Sequence, residues 1–173
     1  MISTSYHVLF LCTGNSAGSI LAEAILERMG SSQFRAYGAG RFSRGEIHPA
    51  ALNLLRRLDL PIDHLRSKSW VEFAGPSAPQ IDFIVTVCDN AAAETCPIWP
   101  GQPMTVRWGL PDPAAVEGSD DDIAQAFSFT YHLLSNQISA FIQLAIDSFD
   151  KAELLSQLVV IDPSIARSTQ DAV

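Results

Sequence analysis

The stretch Tyr6-His7-Val8-Leu9-Phe10-Leu11-Cys12-Thr13-Gly14-Asn15-Ser16-Ala17-Gly18-Ser19-Ile20-Leu21-Ala22-Glu23 decides the fold. Its first six residues are an apolar, partly β-branched and aromatic run, which reads as a buried strand. The run stops at the small polar residues Cys12 to Ser16. Ile20, Leu21, Ala24, Ile25 and Leu26 then recur at helical spacing through Met29. Gly30 is the expected C-cap of that helix. The pattern is strand, small-residue loop, helix.

The rest of the chain repeats the alternation. Phe34–Tyr37 reads as a second strand, ended by Gly38-Ala39-Gly40, and Pro49 opens a second helix through Leu58. Residues 61–79 form a long connection. Ile81–Val87 is the clearest strand after the first, and an alanine run predicts a short helix over Asn90–Thr95. Met104–Arg107 is a short fourth strand, followed by the loop Trp108-Gly109-Leu110-Pro111-Asp112-Pro113. Ser119 is an N-cap with Asp120, Asp121 and Asp122 in the first turn, which opens a long helix to about Ile146. Leu154–Ile161 predicts a last short helix, with a frayed tail beyond Pro163. Strands alternating with helices imply an α/β domain with a parallel sheet. Ligands of such sheets bind beyond the carboxyl ends of the strands. Three segments fall there: Cys12–Ser19, Cys88–Cys96 and Trp108–Pro113.

Composition narrows the function. The chain has 173 residues, 47% hydrophobic and 17% charged, which describes one folded domain and not a disordered chain. No apolar run approaches the roughly 18 residues of a membrane span. The N-terminus lacks the basic region of a signal peptide, so the cytosol is the expected compartment. Eleven basic against 19 acidic residues leave a net charge of −8, which argues against nucleic-acid binding. Residues 1–80 hold 8 basic and 6 acidic side chains, so an anion more comfortably meets the first half. Three cysteines, Cys12, Cys88 and Cys96, suit reactive thiols or buried side chains better than a disulfide framework. Cys88 and Cys96 are too far apart in sequence for a zinc knuckle, and the four histidines show no paired spacing.

Cys12 sits where a strand ends and a helix begins. Unpaired N–H groups and the helix dipole stabilise anions there, which favours a thiolate nucleophile. Thr13, Gly14, Asn15, Ser16, Ala17 and Gly18 are placed to wrap a tetrahedral oxyanion with backbone donors. Ser19 is placed to donate a hydrogen bond to the thiolate, and Asn15 suits a left-handed bend. A buried strand-end cysteine before a polar helix start is the plainer alternative.

This segment resembles the phosphate loop of the low-molecular-weight protein tyrosine phosphatase family, and is most similar to its thioredoxin-coupled arsenate reductase branch. The resemblance continues through Val87-Cys88-Asp89-Asn90-Ala91-Ala92, Thr95-Cys96-Pro97-Ile98-Trp99-Pro100-Gly101 and Trp108-Gly109-Leu110-Pro111-Asp112-Pro113-Ala114, spanning roughly residues 6–147. It implies a single three-layer α/β domain with a four-stranded parallel sheet over residues 1–150, leaving 151–173 as a C-terminal extension. It implies arsenate, or a similar tetrahedral oxyanion, as substrate and thioredoxin or another dithiol as reductant. Cys12 would be the nucleophile, Asp112 the general acid, and Cys88 and Cys96 the thiols that carry the disulfide onward. Cys88 and Cys96 would stand about 12 Å apart on a rigid helix, too far to bond, so residues 89–95 are expected to unwind during turnover. Neither a cofactor nor a metal is assigned.

The departures matter as much. Ala114-Ala115 replaces the aromatic residues that follow Asp-Pro in the tyrosine phosphatases of the family. Ala17 stands where many relatives carry a second loop cysteine. Some arsenate reductases bind potassium through an asparagine and a glutamate, matched by Asn15 and Glu23, with a neighbouring serine that is Gly38 here. Above all, the family's loop arginine is Gly18, which removes a bidentate, charged contact to the oxyanion. Either activity is impaired, or a cation from Arg41, Arg44, Arg66 or Lys68 fills the gap. A phosphatase and a non-catalytic oxyanion-binding domain stand as the alternative functions.

Overall fold

A computed structural model describes residues 5–87, 99 and 101–161. Four strands, β1 (Tyr6–Cys12), β2 (Phe34–Gly40), β3 (Phe83–Thr86) and β4 (Met104–Arg107), form one sheet in the order β2-β1-β3-β4. Every pairing is parallel, with Cys12 opposite Gly40 and Leu11 opposite Thr86. The helices are α1 (Gly18–Gly30), α2 (Pro49–Arg57), α3 (Asp120–Ile142) and α4 (Lys151–Val160). Side chains of a strand alternate between faces. Val8, Phe10 and Cys12 therefore point into a core shared with α1, α2, α3 and α4. Leu9 and Leu11 point the other way, onto Phe73, Ile81, Ile84 and Trp99. The 61–79 connection covers this second face with a 3-10 turn at Trp70–Phe73, giving three layers.

The predicted strands and long helices are present, with differences at several boundaries. Gly30 is the last residue of α1 and does not have positive φ. A Cβ there would lie 3.0 Å from both Leu26 Cδ1 and Phe34 Cδ2, so close packing, not a left-handed cap, favours glycine. β2 runs on through Gly38-Ala39-Gly40 because these residues keep the ladder with β1. β3 is shorter than the apolar run, since its β4 partner spans only four residues. α3 stops at Ile142, because Leu144, Ile146 and Phe149 pack against the main core and a further 3-10 turn, Ile146–Ser148, brings Asp147 to the Tyr6 hydroxyl. Burial and that acidic partner push the Tyr6 phenol up to about 12, the hydrogen bond to Asp147 being the larger cause. The short helix expected over Asn90–Thr95 and the tail beyond Pro163 lie outside the described residues.

Ser119 caps α3 as its sequence predicted, its Oγ accepting from Asp122 N, and the structure adds a return bond in which the Asp122 carboxylate accepts from Ser119 N. Asp150 and Glu153 do the same for α4, which therefore begins earlier than its apolar residues suggest. α4 buries Leu154 and Leu158 in the main core, and the Leu158 carbonyl accepts the Trp108 indole N–H at 3.3 Å. Leu158→Ala is expected to cost about 2–4 kcal/mol in urea unfolding through the cavity it leaves. A cost within about 0.5 kcal/mol, the range of surface substitutions, would mean α4 does not unfold with the domain.

Candidate active site

Cys12 ends β1 and is almost fully buried, 7% exposed. Its Sγ accepts from the backbone N of Asn15 at 3.1 Å and lies 2.9 Å from Ser19 Oγ. Asn15 has φ of 45°, the left-handed region that asparagine tolerates better than most residues. Its Oδ1 accepts from the backbone N of Lys68 at 2.7 Å, and its Nδ2 donates to Ser19 Oγ at 2.6 Å. The Lys68 N–H only donates, so the orientation of the amide is determined. Ser19 Oγ therefore accepts from Asn15 and keeps its own proton for a Cys12 thiolate.

The carbonyls of the 13–16 loop are tied to a second segment. Thr13 O accepts from Phe42 N, Gly14 O from Arg44 N and Ser16 O from His48 N, all between 2.9 and 3.0 Å. Gly40 makes this approach possible, since a Cβ there would stand 2.7 Å from Thr13 O and 2.8 Å from Asn15 N. Ala17 is the N-cap of α1 and offers no side-chain oxygen. The first-turn amides of α1 thus have no side-chain cap beside the thiol, which is a setting that favours an anion.

Cys12, Thr13, Gly14, Ser16, Ala17 and Gly18 line one cavity of about 420 Å³. Asp112 reaches the same cavity from the loop after β4. Its Oδ1 accepts from Ala114 N at 3.0 Å, capping a 3-10 turn and holding the carboxylate in place. Asn15 and Ser19 lie behind the loop, fully buried, and support it. Phe42, Arg44, Val87, Pro111 and Pro113 complete the lining, and of these Phe42 carried no signal in the sequence. Ala115 faces the cavity where an aromatic wall would stand, while the Phe42 ring is exposed at its edge. Cys88 and Cys96 lie outside the described residues.

Glu23 is buried behind Ser19, with the Lys68 ammonium 3.6 Å from Oε1 and no hydrogen bond at Oε2. Burial pushes its carboxyl up to about 7, and Lys68 only partly opposes this. A Cβ on Gly38 would lie 3.1 Å from both Asn15 Nδ2 and Glu23 Oε2 and 3.2 Å from the Ser19 carbonyl oxygen, and the Lys68 ammonium already supplies a positive charge to the Glu23 carboxylate.

A buried thiol beside an uncapped helix start thus shares one cavity with the Asp112 carboxylate. The family model for low molecular weight phosphotyrosine protein phosphatase matches residues 7–153, and the chain belongs to that family. An arsenate reductase of Halalkalibacterium halodurans is 30% identical over 134 residues, covering 78% of this chain and 93% of the relative. The fold is shared with a tyrosine phosphatase of Escherichia coli solved with sulphate, at a TM-score of 0.64 and 20% identity, over 81% of this chain and 98% of that one. It is shared also with the thioredoxin-dependent arsenate reductase of Corynebacterium glutamicum, at a TM-score of 0.54 and 23% identity, over 80% of this chain and 64% of that one. Among the described residues no helix is long and apolar enough to cross a membrane.

Two predictions follow from this geometry. Ser19→Ala removes the hydroxyl donor to Sγ, and alkylation of Cys12 by iodoacetamide at neutral pH should slow several-fold, roughly the effect of one lost charge-assisted hydrogen bond tempered by the remaining amide. An unchanged rate would show that the hydroxyl does not stabilise the thiolate. The raised Glu23 group binds its proton more tightly folded than unfolded. Its contribution is greatest below pH 4.5 and is lost as pH rises toward about 7. Thermal melts should show Glu23→Gln losing part of the fall in stability between pH 5 and 8, on the order of 1–3 kcal/mol. A variant with the same slope as the parent would contradict this.

Proposed function

We propose that this protein reduces arsenate to arsenite in a cysteine relay regenerated by thioredoxin or another dithiol. The observation that carries the reading is the Cys12 thiol, held by Ser19 and Asn15 at the floor of a cavity that Asp112 also lines. Relatives named arsenate reductase support it, as does Ala115 in place of an aromatic wall.

The steps balance as follows. The Cys12 thiolate attacks arsenic and an oxygen leaves as water, protonated by Asp112. The Cys88 thiolate attacks Cys12 Sγ. The sulfur–sulfur bond forms as the sulfur–arsenic bond breaks, and its electron pair goes to arsenic, which departs as arsenite. Cys96 then attacks Cys88 Sγ and frees the Cys12 thiolate. The dithiol partner reduces the Cys88–Cys96 disulfide. The unwinding expected of residues 89–95 belongs to the attack of Cys96 on Cys88, which brings the two sulfurs together. The catalytic domain covers residues 1–150, with 151–173 as an extension whose helix packs on it, and the cytosol, where dithiol reductants operate, is the compartment.

The test is arsenite release by the purified protein with thioredoxin, thioredoxin reductase and excess arsenate. Cys12→Ser should abolish release, and Cys88→Ser should stop it after the adduct, within one equivalent. Gly18→Arg should raise turnover by up to about 10²-fold, the usual worth of a charged transition-state contact, and by less where another cation already meets the oxyanion. Among the described residues, a Cβ on Gly18 would meet nothing closer than Val87 Cγ2 at 3.6 Å. Hydrolysis of aryl phosphates that survives Cys88→Ser, with no arsenite from any variant, would favour a phosphatase instead. Tight anion binding without product under any reductant would favour a non-catalytic binding domain.

A further inference from the structure

The loss of the loop arginine leaves an oxyanion cavity in need of a positive group, and the structure sorts the basic side chains near it. Arg66 donates through both terminal nitrogens to Glu72 and lies away from the cavity. The Lys68 ammonium is buried, 3.6 Å from Glu23 and 3.2 Å from the Arg66 carbonyl. The Arg41 guanidinium stacks over the Phe42 ring at 4.9 Å and does not line the cavity. Arg44 does line it, together with Cys12, Gly18 and Asp112.

Arg44 is also built onto the loop itself. Its backbone N donates to Gly14 O at 3.0 Å. Its side chain lies flat on Gly14, where a Cβ would come within 3.2 Å of Nε and 3.3 Å of Cγ. Gly14 thus has no side chain where the arginine stem passes. The fork starts over the loop, on the solvent side, whereas a residue at position 18 reaches the anion from the helix start.

We propose that Arg44 is the oxyanion-binding cation of this pocket, standing in for the arginine that Gly18 replaces, and that it selects free tetrahedral oxyanions over their esters. The proposal rests on the oxyanion reading above. With Sγ beneath the central atom, one oxygen points away from the thiol, toward the mouth. In free arsenate or phosphate that position is a charged oxygen, which a guanidinium binds through paired N–H donors. In a phosphate ester it carries the organic group, which must share the mouth with Arg44 and Phe42.

Protection of Cys12 from iodoacetamide, followed by peptide mass spectrometry, tests this without turnover. Inorganic phosphate and phenyl phosphate are the two probes. The proteins are the unaltered chain, Arg44→Ala, Arg44→Gln, Arg44→Lys, Gly18→Arg and the double variant Arg44→Ala with Gly18→Arg. Arg44→Ala and Arg44→Gln should each raise the phosphate concentration for half-protection by about 10-fold or more, as expected for a lost charged fork. For phenyl phosphate the change should be smaller than for phosphate, so discrimination between the two falls. Arg44→Lys should recover part of the phosphate affinity, and Gly18→Arg should restore it in the double variant. Half-protection by phosphate within about 2-fold of the parent in both Arg44→Ala and Arg44→Gln would overturn the assignment while leaving the oxyanion pocket intact, a change too small for a charge-assisted bond. Equal losses for both probes would overturn the selectivity. If phosphate does not protect Cys12 in the unaltered chain, the pocket reading and this inference fall together.

Discussion

Asn15 is the residue on which the site depends. One side chain and one backbone N–H reach three different parts of the chain: the thiol of Cys12, the hydroxyl of Ser19 and the backbone of Lys68. The left-handed backbone at Asn15 turns the chain sharply enough for its N–H to face the sulfur that precedes it by three residues. Because all of this is buried, each hydrogen bond replaces one to water, and a missing partner would carry the full desolvation cost. The loop therefore has little freedom to take another shape. That rigidity is what an anion site made of backbone amides needs, since donors arranged in advance spend nothing on rearrangement when the anion arrives.

The brace works only because β2 lies against β1 in one register. Cys12 stands opposite Gly40, and the absence of a side chain at Gly40 lets the chain pass directly beneath the Thr13–Asn15 backbone. From Gly40 the chain turns and runs back over the loop, giving its N–H groups to the carbonyls of Thr13, Gly14 and Ser16. Residues 67–69 run alongside, pairing at Gly40 and Ser69. A parallel sheet thus carries its chemistry beyond the strand ends, as such sheets do, but here the pocket is held from two sides by segments distant in sequence.

Electrostatics around the pocket are divided between depths. Behind the loop, Glu23 and Lys68 form a buried pair in which the carboxylate is poorly satisfied, so the fold favours its neutral form. Arg44 is exposed at the mouth, and Gly18, at the start of α1, contributes no charge. The positive groups around the pocket are thus the uncapped amides at the start of α1 and the Arg44 side chain at the mouth, with no charged side chain at position 18. Under the proposed assignment, an anion over the thiol would meet the Arg44 guanidinium at the mouth.

Much of the design was legible in the chain. The strand–loop–helix at residues 6–30 is a local pattern, set by a buried apolar run, a string of small residues and a 3.6-residue period, and it places a cysteine at a helix start with no further information. The Ser119 cap and the order of strands and helices are legible for the same reason. Asp112 was legible only through resemblance, since an Asp-Pro pair is by itself an ordinary turn. The extent of β2, the close packing at Gly30 and the end of α3 were not legible, because partner strands and core contacts override local glycine and apolar signals. What tertiary structure alone decided is which of four loop cations faces the pocket, how Asn15 is used, and that Glu23 is buried against Lys68. Those outcomes depend on register and close approach between segments dozens of residues apart, and a sequence read in windows carries no distance between them.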